Sequence, residues 1–274
     1  MSIWRGKDDA VHLDTDNRGF QYGDGVFETI AVRHGKPRLW NYHMRRLGRA
    51  CERLGLTLPT SIDAAVTDAI ESTLEDRHRC VVKVVVTAAP GQRGYGREMP
   101  GQAETFVTVF PATELERSAY RHGIVTRFCD TRLAVGSPFA GLKTLNRLEQ
   151  VLARSELRQT DALEGFTFDV ENRLICGTMS NVFLVRDNAV ATPALQRCGV
   201  EGVMRQLVLD LAPDIEVGDL VLADLQAADE VFITNSQIGL VPVSRCGDHS
   251  WPVGPVTLAT MRKLADQGIE ECHV

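Results

Sequence analysis

The order of apolar runs predicts an α/β (α+β) chain of two domains, and three observations carry that expectation. Strand-like runs rich in Val, Thr and Phe alternate irregularly with helix-like runs of 3.6-residue period, without the strict βαβ order of a barrel. The most polar stretch between two apolar blocks is Glu114 to Gly123. It places the domain connection there, giving an N-terminal α/β domain over residues 1–115 and a C-terminal domain over 116–274. The length of 274 residues exceeds the roughly 100–200 of a common single domain.

Taken in order, Val26 to Arg33 and Pro37 to Trp40 flank the polar turn His34-Gly35-Lys36 and read as a hairpin. A helix is predicted from Asn41 to Leu54, stopped at Gly55. A second starts at Ser61 and keeps Ile62, Val66, Ala69, Ile70 and Leu74 on one stripe. Two strands, Cys80 to Ala88 and Thr105 to Phe110, bracket the glycine-rich loop Pro90 to Gly101. Beyond the connection come a strand at Val125 to Phe128 and a helix at Leu145 to Leu157, with Leu145, Leu148, Val151 and Leu152 on its apolar stripe. Short strands follow at Phe166 to Val170, Leu174 to Cys176, Asn181 to Val185 and Ala189 to Ala191, turning at Glu171-Asn172 and Asp187-Asn188. Helices at Val203 to Leu211 and Val256 to Asp266 enclose a strand at Glu230 to Thr234.

Composition narrows the function. With 44% hydrophobic and 24% charged residues the chain has the make-up of a globular protein. Thirty basic against thirty-six acidic residues leave a net charge of −6, so no global field favours nucleic acid or an anionic membrane. Any anion must be caught locally. The seven cysteines are scattered and include no C-x-x-C pair, which argues against a disulfide framework or a zinc ribbon. The stretch Met1 to Gly19 lacks an apolar core, and no run approaches a membrane span. A reducing cytoplasm is the expected setting.

Several catalytic patterns are missing. The histidines show no metal-ligand spacing and no G-x-S-x-G elbow exists. Gly23 to Glu28 approaches G-x-G-x-x-G but ends on the wrong residue. Gly136 to Thr144 resembles a phosphate-binding loop, but Leu142 separates Gly141 from Lys143 and moves the ammonium off target. Nucleotide hydrolysis is therefore a poor second reading.

Lysine is the informative residue type, because only five stand against twenty-five arginines. Lys7, Lys36 and Lys263 are expected in solvent. Lys83, inside Val81 to Val86, is either an edge-strand charge or points into a cleft. Lys143 lies between a glycine-rich turn and a helix, flanked by Leu142 and Leu145, where partial burial suits an amine for Schiff-base chemistry. Gly199 to Arg205 runs straight into a helix, so its free amides and helix dipole can hold a phosphate. Arg46 can add a guanidinium, although a solvated helix face is the plainer reading of it.

Asp16 to Thr29, which contains Asp16-Asn17-Arg18-Gly19-Phe20-Gln21-Tyr22-Gly23-Asp24-Gly25-Val26-Phe27-Glu28-Thr29, together with Gly141 to Gln150 resembles the fold-type IV pyridoxal-phosphate enzymes. Within that branched-chain/D-amino-acid aminotransferase-like superfamily, Lys143 to Arg154 and Gly91-Gln92-Arg93-Gly94-Tyr95 are most similar to the aminodeoxychorismate lyase branch. The resemblance runs from about Asp16 to Pro242. It implies two α/β domains, pyridoxal 5'-phosphate as cofactor, and a homodimer whose partner completes the pocket. It implies that Lys143 carries the cofactor, and that Arg46, the amides of Val203 and Met204, and Ser236 or Asn235 hold its phosphate. Phe27, Arg93 and Tyr95 would lie on the substrate side, with Arg93 pairing a carboxylate. The implied reaction converts 4-amino-4-deoxychorismate to 4-aminobenzoate and pyruvate, a step of folate biosynthesis, by elimination from an external aldimine. It also implies functional coupling to an aminodeoxychorismate synthase.

One position departs from the pattern. A glutamate five residues before the asparagine of S-N-x-F usually meets the pyridine nitrogen, and here that position is Cys176. A neutral thiol makes the cofactor a weaker electron sink, which handicaps transamination more than an elimination driven by aromatisation. The rivals are a D-amino-acid or branched-chain aminotransferase on the same fold and a cofactor-binding homologue without catalysis.

Overall fold

A computed structural model describes residues 13–73, 78–91 and 93–273. Lys7, Leu74 and Gln92 lie outside the described residues. The chain divides into two compact units. The first runs to Thr113 and takes in Leu142–Asn146; the second comprises Glu114–Gly141 and the chain from Arg147 onward. Lys143 therefore belongs to the first unit, whereas the sequence grouped it with residues 116–274. Backbone pairing of Lys143 to Leu145 with Gly25 to Phe27 is the reason.

In the first unit, a short helix α1 (Arg18–Tyr22) leads into β1 (Gly25–Arg33), β2 (Lys36–Pro37), α2 (Trp40–Leu54), α3 (Ile62–Glu71), β3 (Arg79–Ala88) and β4 (Ala103–Pro111). The turn forms, with His34 and Gly35 at positive φ, 53° and 74°, the backbone a two-residue turn needs to match strand twist, but the second strand is only Lys36–Pro37 and not Pro37 to Trp40, because Trp40 already starts α2. Helix α2 stops where Gly55 turns left-handed at φ 62°. The strands lie antiparallel in the order β2-β1-β3-β4. Lys83 thus sits on an inner strand, which rules out the edge-strand reading. Alternate residues of β1 and β3 (Val26, Ile30, Val82, Val84, Val86) are buried with Leu47, Ala50, Val66 and Ile70 of the two helices. The opposite face, with Val81, Lys83 and Val85, is half-buried.

The second unit contains α4 (Arg117–His122), β5 (Ile124–Leu133), α5 (Leu148–Ser155), β6 (Glu164–Asp169), β7 (Arg173–Gly177), β8 (Asn181–Arg186) and β9 (Ala189–Pro193). Then come α6 (Val203–Leu211), β10 (Glu216–Gly218), β11 (Leu220–Val221), α7 (Leu222–Gln226), β12 (Glu230–Asn235), β13 (Gly239–Cys246), β14 (His249–Ser250) and α8 (Pro255–Asp266). The strands form one mixed sheet, β10-β9-β8-β12-β13-β5-β6-β7-β11, with β14 on β13. The turn at Asp187-Asn188 takes positive φ at both residues, as its composition indicates.

Two expectations need correction. Helix α5 starts at Leu148, three residues later than predicted, because the preceding residues are drawn into strand pairing. Its stripe does not face the core: Leu148, Val151 and Leu152 are 77%, 57% and 60% exposed. Strand β13 was not foreseen. Pro242 stands in its middle opposite Phe232, and a proline removes a ladder donor and disguises an inner strand.

Candidate active site

In the first unit the site is built on the near end of β1. Hairpin strand β2 covers only Val32 and Arg33, so the other end of that edge is open to a second partner. Lys143 to Leu145 takes it: Phe27 N–H donates to the Lys143 carbonyl at 2.9 Å, Leu145 N–H donates to Gly25 at 3.0 Å, and Val26 bridges Thr144. This register sets Lys143 opposite Phe27, and residues opposite one another share a face of the sheet. The Lys143 Nζ lies 4.3 Å from the centroid of the Phe27 ring. Asn146 fastens the end of the segment, donating from Nδ2 to the Gly23 carbonyl at 3.0 Å.

Glu28, next along β1, points the other way, into the buried helix face. Its carboxylate accepts from Arg46 Nε at 2.8 Å and Nη2 at 2.5 Å, and from His43 Nδ1 at 2.6 Å. Arg46 is therefore buried, 6% exposed, and the solvated-face reading fails. Burial alone would raise the Glu28 pKa, but the Arg46 charge and hydrogen bonds, with help from His43, bring it down to about 2. Burial lowers the His43 pKa, against the pull of Glu28, and the charges of Arg46 and Lys143 lower it further. A neutral His43 that donates from Nδ1 presents Nε2 as a lone pair, and this buried nitrogen has no hydrogen-bond partner among the described residues.

Neither Glu28 nor His43 was foreseen. The legible signal was a charged residue at an inward position of an apolar strand, and a histidine three residues before Arg46 on the same helix face.

Arg93 and Tyr95 are exposed, on a loop that is held firmly. Asp24 accepts from Arg18 and from Arg97, each at 3.0 Å, and Arg18 also donates to the carbonyls of Gly94 and Tyr95 at 2.9 Å. The Tyr95 ring meets Tyr22 edge-on at 5.4 Å. Among the described residues, no hydrogen bond, ion pair or ring contact joins Arg93 or Tyr95 to Phe27 or Lys143.

In the second unit, Gly199 to Gly202 leads into α6. Gly199 has φ +87°, and a Cβ on Gly202 would stand 2.0 Å from Asn181 Oδ1, so the backbone approaches Asn181 in a way only glycine allows. Asn181 Nδ2 donates to the Val200 carbonyl at 3.0 Å and fixes the turn. Helix α6 has no side-chain N-cap and no acidic residue in its first turn, which leaves the amides of Val203 and Met204 for an anion. Asn235 is committed elsewhere: its Oδ1 accepts from the amides of Gln237 and Ile238 at 2.8 and 3.0 Å, and its Nδ2 reaches the Met179 carbonyl. Ser236 sits in the same turn, where its hydroxyl accepts from Gln237 at 3.3 Å.

Cys176 is buried with Leu133, Ile175, Leu195 and Cys198, and its Sγ is 3.4 Å from the Thr167 hydroxyl. Burial pushes its pKa up to about 11 against that hydrogen bond, so the thiol stays protonated at any physiological pH. Beside β7, Glu164 accepts from the Thr178 amide at 3.0 Å and the Ser180 hydroxyl at 2.8 Å, and so anchors the turn before Asn181.

The family description Amino-transferase class IV matches residues 25–246. The chain belongs to the amino-transferase class IV family. It is 36% identical over 262 residues to the aminodeoxychorismate lyase of Vibrio harveyi, covering 90% of this chain and 93% of that one. The crystal structure of 4-amino-4-deoxychorismate lyase from Pseudomonas aeruginosa superposes with a TM-score of 0.88 at 38% identity, over 95% of this chain and 97% of that one. A D-alanine aminotransferase from Listeria innocua is 28% identical, over 97% of this chain and 94% of its own length. Class IV membership accounts for the mixed fold.

Proposed function

We propose that the chain is a pyridoxal-phosphate-dependent lyase that converts 4-amino-4-deoxychorismate to 4-aminobenzoate and pyruvate. The observation that carries the reading is the Lys143 amine, set by β-pairing against the Phe27 ring in a chain whose lyase relatives match it at 36% and 38% identity. The residues fit the cofactor. An amine on a short, backbone-fixed segment suits an aldehyde. The uncapped start of α6 suits a phosphate.

When bound, the cofactor supplies an aldehyde that joins amines and a ring that draws off electrons as a neighbouring bond breaks. Lys143 would hold it through Nζ, and that amine, once freed by an incoming substrate amine, would be the base placed to take the proton from the amine-bearing ring carbon as the enolpyruvyl group leaves the adjacent carbon. The amides of Val203 and Met204, with Ser236, would hold the phosphate. Arg46 belongs to the same function, oriented by Glu28. Arg93 and Tyr95 stand on the substrate side, on the loop clamped through Asp24.

Aminotransfer is the second reading, supported by the D-alanine aminotransferase likeness. The protonated Cys176 thiol weighs against it, because it supplies no carboxylate to support electron withdrawal.

A homodimer is part of the proposal, and the exposed Leu148, Val151 and Leu152 support it. So do the seven free, buried cysteines for a reducing cytoplasm. Among the described residues no helix is long and apolar enough to cross a membrane. The reaction belongs to folate biosynthesis, fed by a synthase that makes the aminated substrate.

Borohydride reduction of the coloured protein, followed by peptide mapping, tests the assignment together with pyruvate release from aminodeoxychorismate. Modified Lys143 and pyruvate are expected. Lys143→Ala loses both the visible absorbance and turnover; retained turnover in that variant overturns the proposal.

A further inference from the structure

The tripeptide Gly23-Asp24-Gly25 holds two segments at once. Its main-chain carbonyls carry the Lys143 segment: Gly23 accepts from Asn146 Nδ2 and Gly25 from the Leu145 amide, each at 3.0 Å. The carboxylate between them carries the loop of Arg93 and Tyr95. Asp24 Oδ2 accepts from Arg18 Nε and from Arg97 Nε, each at 3.0 Å. Arg18 turns its other two nitrogens to the loop, Nη1 donating to the Gly94 carbonyl and Nη2 to the Tyr95 carbonyl, both at 2.9 Å. Arg97 is tied in turn to the carbonyls of Leu54 and Gly55, where α2 ends.

Among the described residues little else fixes this loop. From Arg93 to Pro100 it makes no backbone–backbone hydrogen bond, and the side chains of Arg93, Tyr95, Glu98 and Met99 are exposed. Gly91, Gly94 and Gly96 make it costly to order, because glycine loses the most conformational freedom on folding. The one ring contact, Tyr95 edge-on to Tyr22 at 5.4 Å, leads back to the same arginine, whose guanidinium lies 4.9 Å from the Tyr22 centroid. Arg18 is itself buried. A buried ion pair adds little to stability over apolar packing, and what it does here is to impose one geometry. A planar guanidinium meets one carboxylate and two carbonyls together in a single orientation, which a lysine cannot do.

We propose that Arg18 is a positioning residue for the reaction: braced by Asp24, it fixes the backbone at Gly94 and Tyr95 and so presents the Arg93 and Tyr95 side chains to the substrate already in place. The proposal rests on the function proposed above and adds that the loop is a preset wall of the substrate site, not a segment that the substrate has to order. Without the clamp, two side chains must be immobilised at the moment of binding, which weakens a ligand by about tenfold to a hundredfold.

The test uses the holoenzyme and measures KM and kcat for aminodeoxychorismate, together with the fraction of Lys143 trapped by borohydride, in wild type, Arg18→Met and Arg18→Lys. KM is expected to rise by about tenfold to a hundredfold in both variants. The kcat and the trapped fraction stay near wild type, because the Gly23 and Gly25 carbonyls still carry the Lys143 segment. If Arg18→Met does not fold, Arg18→Lys carries the same expectation. A second comparison separates positioning from general damage: in a protein that already carries Arg93→Met and Tyr95→Ala, Arg18→Met should raise KM little further. An unchanged KM, rescue by lysine, a full effect in that background, or trapping that falls in step with the rise in KM overturns the proposal and leaves the lyase reading intact. Failure to trap Lys143 in wild type overturns both.

Discussion

Glu28→Gln removes one charge and almost no volume, so its consequence is calculable. Glu28 is 1% exposed and accepts three hydrogen bonds from Arg46 and His43. Its pKa falls from 4.5 to about 2, which at about 1.4 kcal/mol for each tenfold amounts to about 3 kcal/mol of stabilisation of the charged, folded form. A depressed carboxylate contributes fully above its unfolded pKa and loses that contribution as pH falls through the folded one. Wild type should therefore exceed Glu28→Gln by about 3 kcal/mol at pH 7. Below pH 4.5 the gap should narrow, and it should close near the folded value of about 2. Urea unfolding of both proteins, followed by circular dichroism from pH 7 downward, measures it. A gap that is the same at the acid end as at pH 7 would show that the pair is not what holds α2 to β1.

Three further outcomes follow from the same geometry. Gly202→Ala should weaken cofactor binding by about tenfold in an absorbance titration, because its Cβ would stand 2.0 Å from Asn181 Oδ1 and either breaks the Asn181 bond to the Val200 carbonyl that fixes the turn or shifts the start of α6. Cys176→Glu should raise the half-reaction with D- or branched amino acids, read as conversion of the cofactor absorbance; a cofactor-loaded variant with no such gain refutes the electron-sink argument. Leu152→Asp, on a side chain 60% exposed, should shift the molar mass by light scattering from dimer to monomer without unfolding the chain.

The residues that read correctly from sequence are those whose meaning is local. His34-Gly35 permits the positive φ of a tight turn, Gly55 ends α2 in the left-handed conformation, and the glycine turn before Val203 runs straight into α6. None of these needs the rest of the chain. Lys143 is different. Its flanks suggested an amine at a helix start, but the β1 edge, more than a hundred residues earlier, claims Lys143 to Leu145 as a strand partner. Glu28 and His43 escaped for the same reason, since a carboxylate in a strand acquires meaning only when a helix brings Arg46 over it. That Asn235 spends its carboxamide oxygen on its own turn is likewise a matter of backbone geometry that the sequence does not display.

Helix α5 shows where one chain stops explaining itself. Its period-3.6 stripe was expected to face a core, yet Leu148, Val151 and Leu152 face solvent, while Ala153 and the following Leu157 are buried with Cys129 on the other side. The helix is thus apolar on both sides, which a surface helix has no reason to be. Each large apolar side chain taken from water gains about 1.5–3 kcal/mol, so three on each of two copies outweigh much of the entropy lost on association, estimated at about 4–15 kcal/mol. An exposed apolar face would serve both partners of the proposed twofold pair, in which the same patch meets itself, and the Leu152→Asp variant decides whether it does.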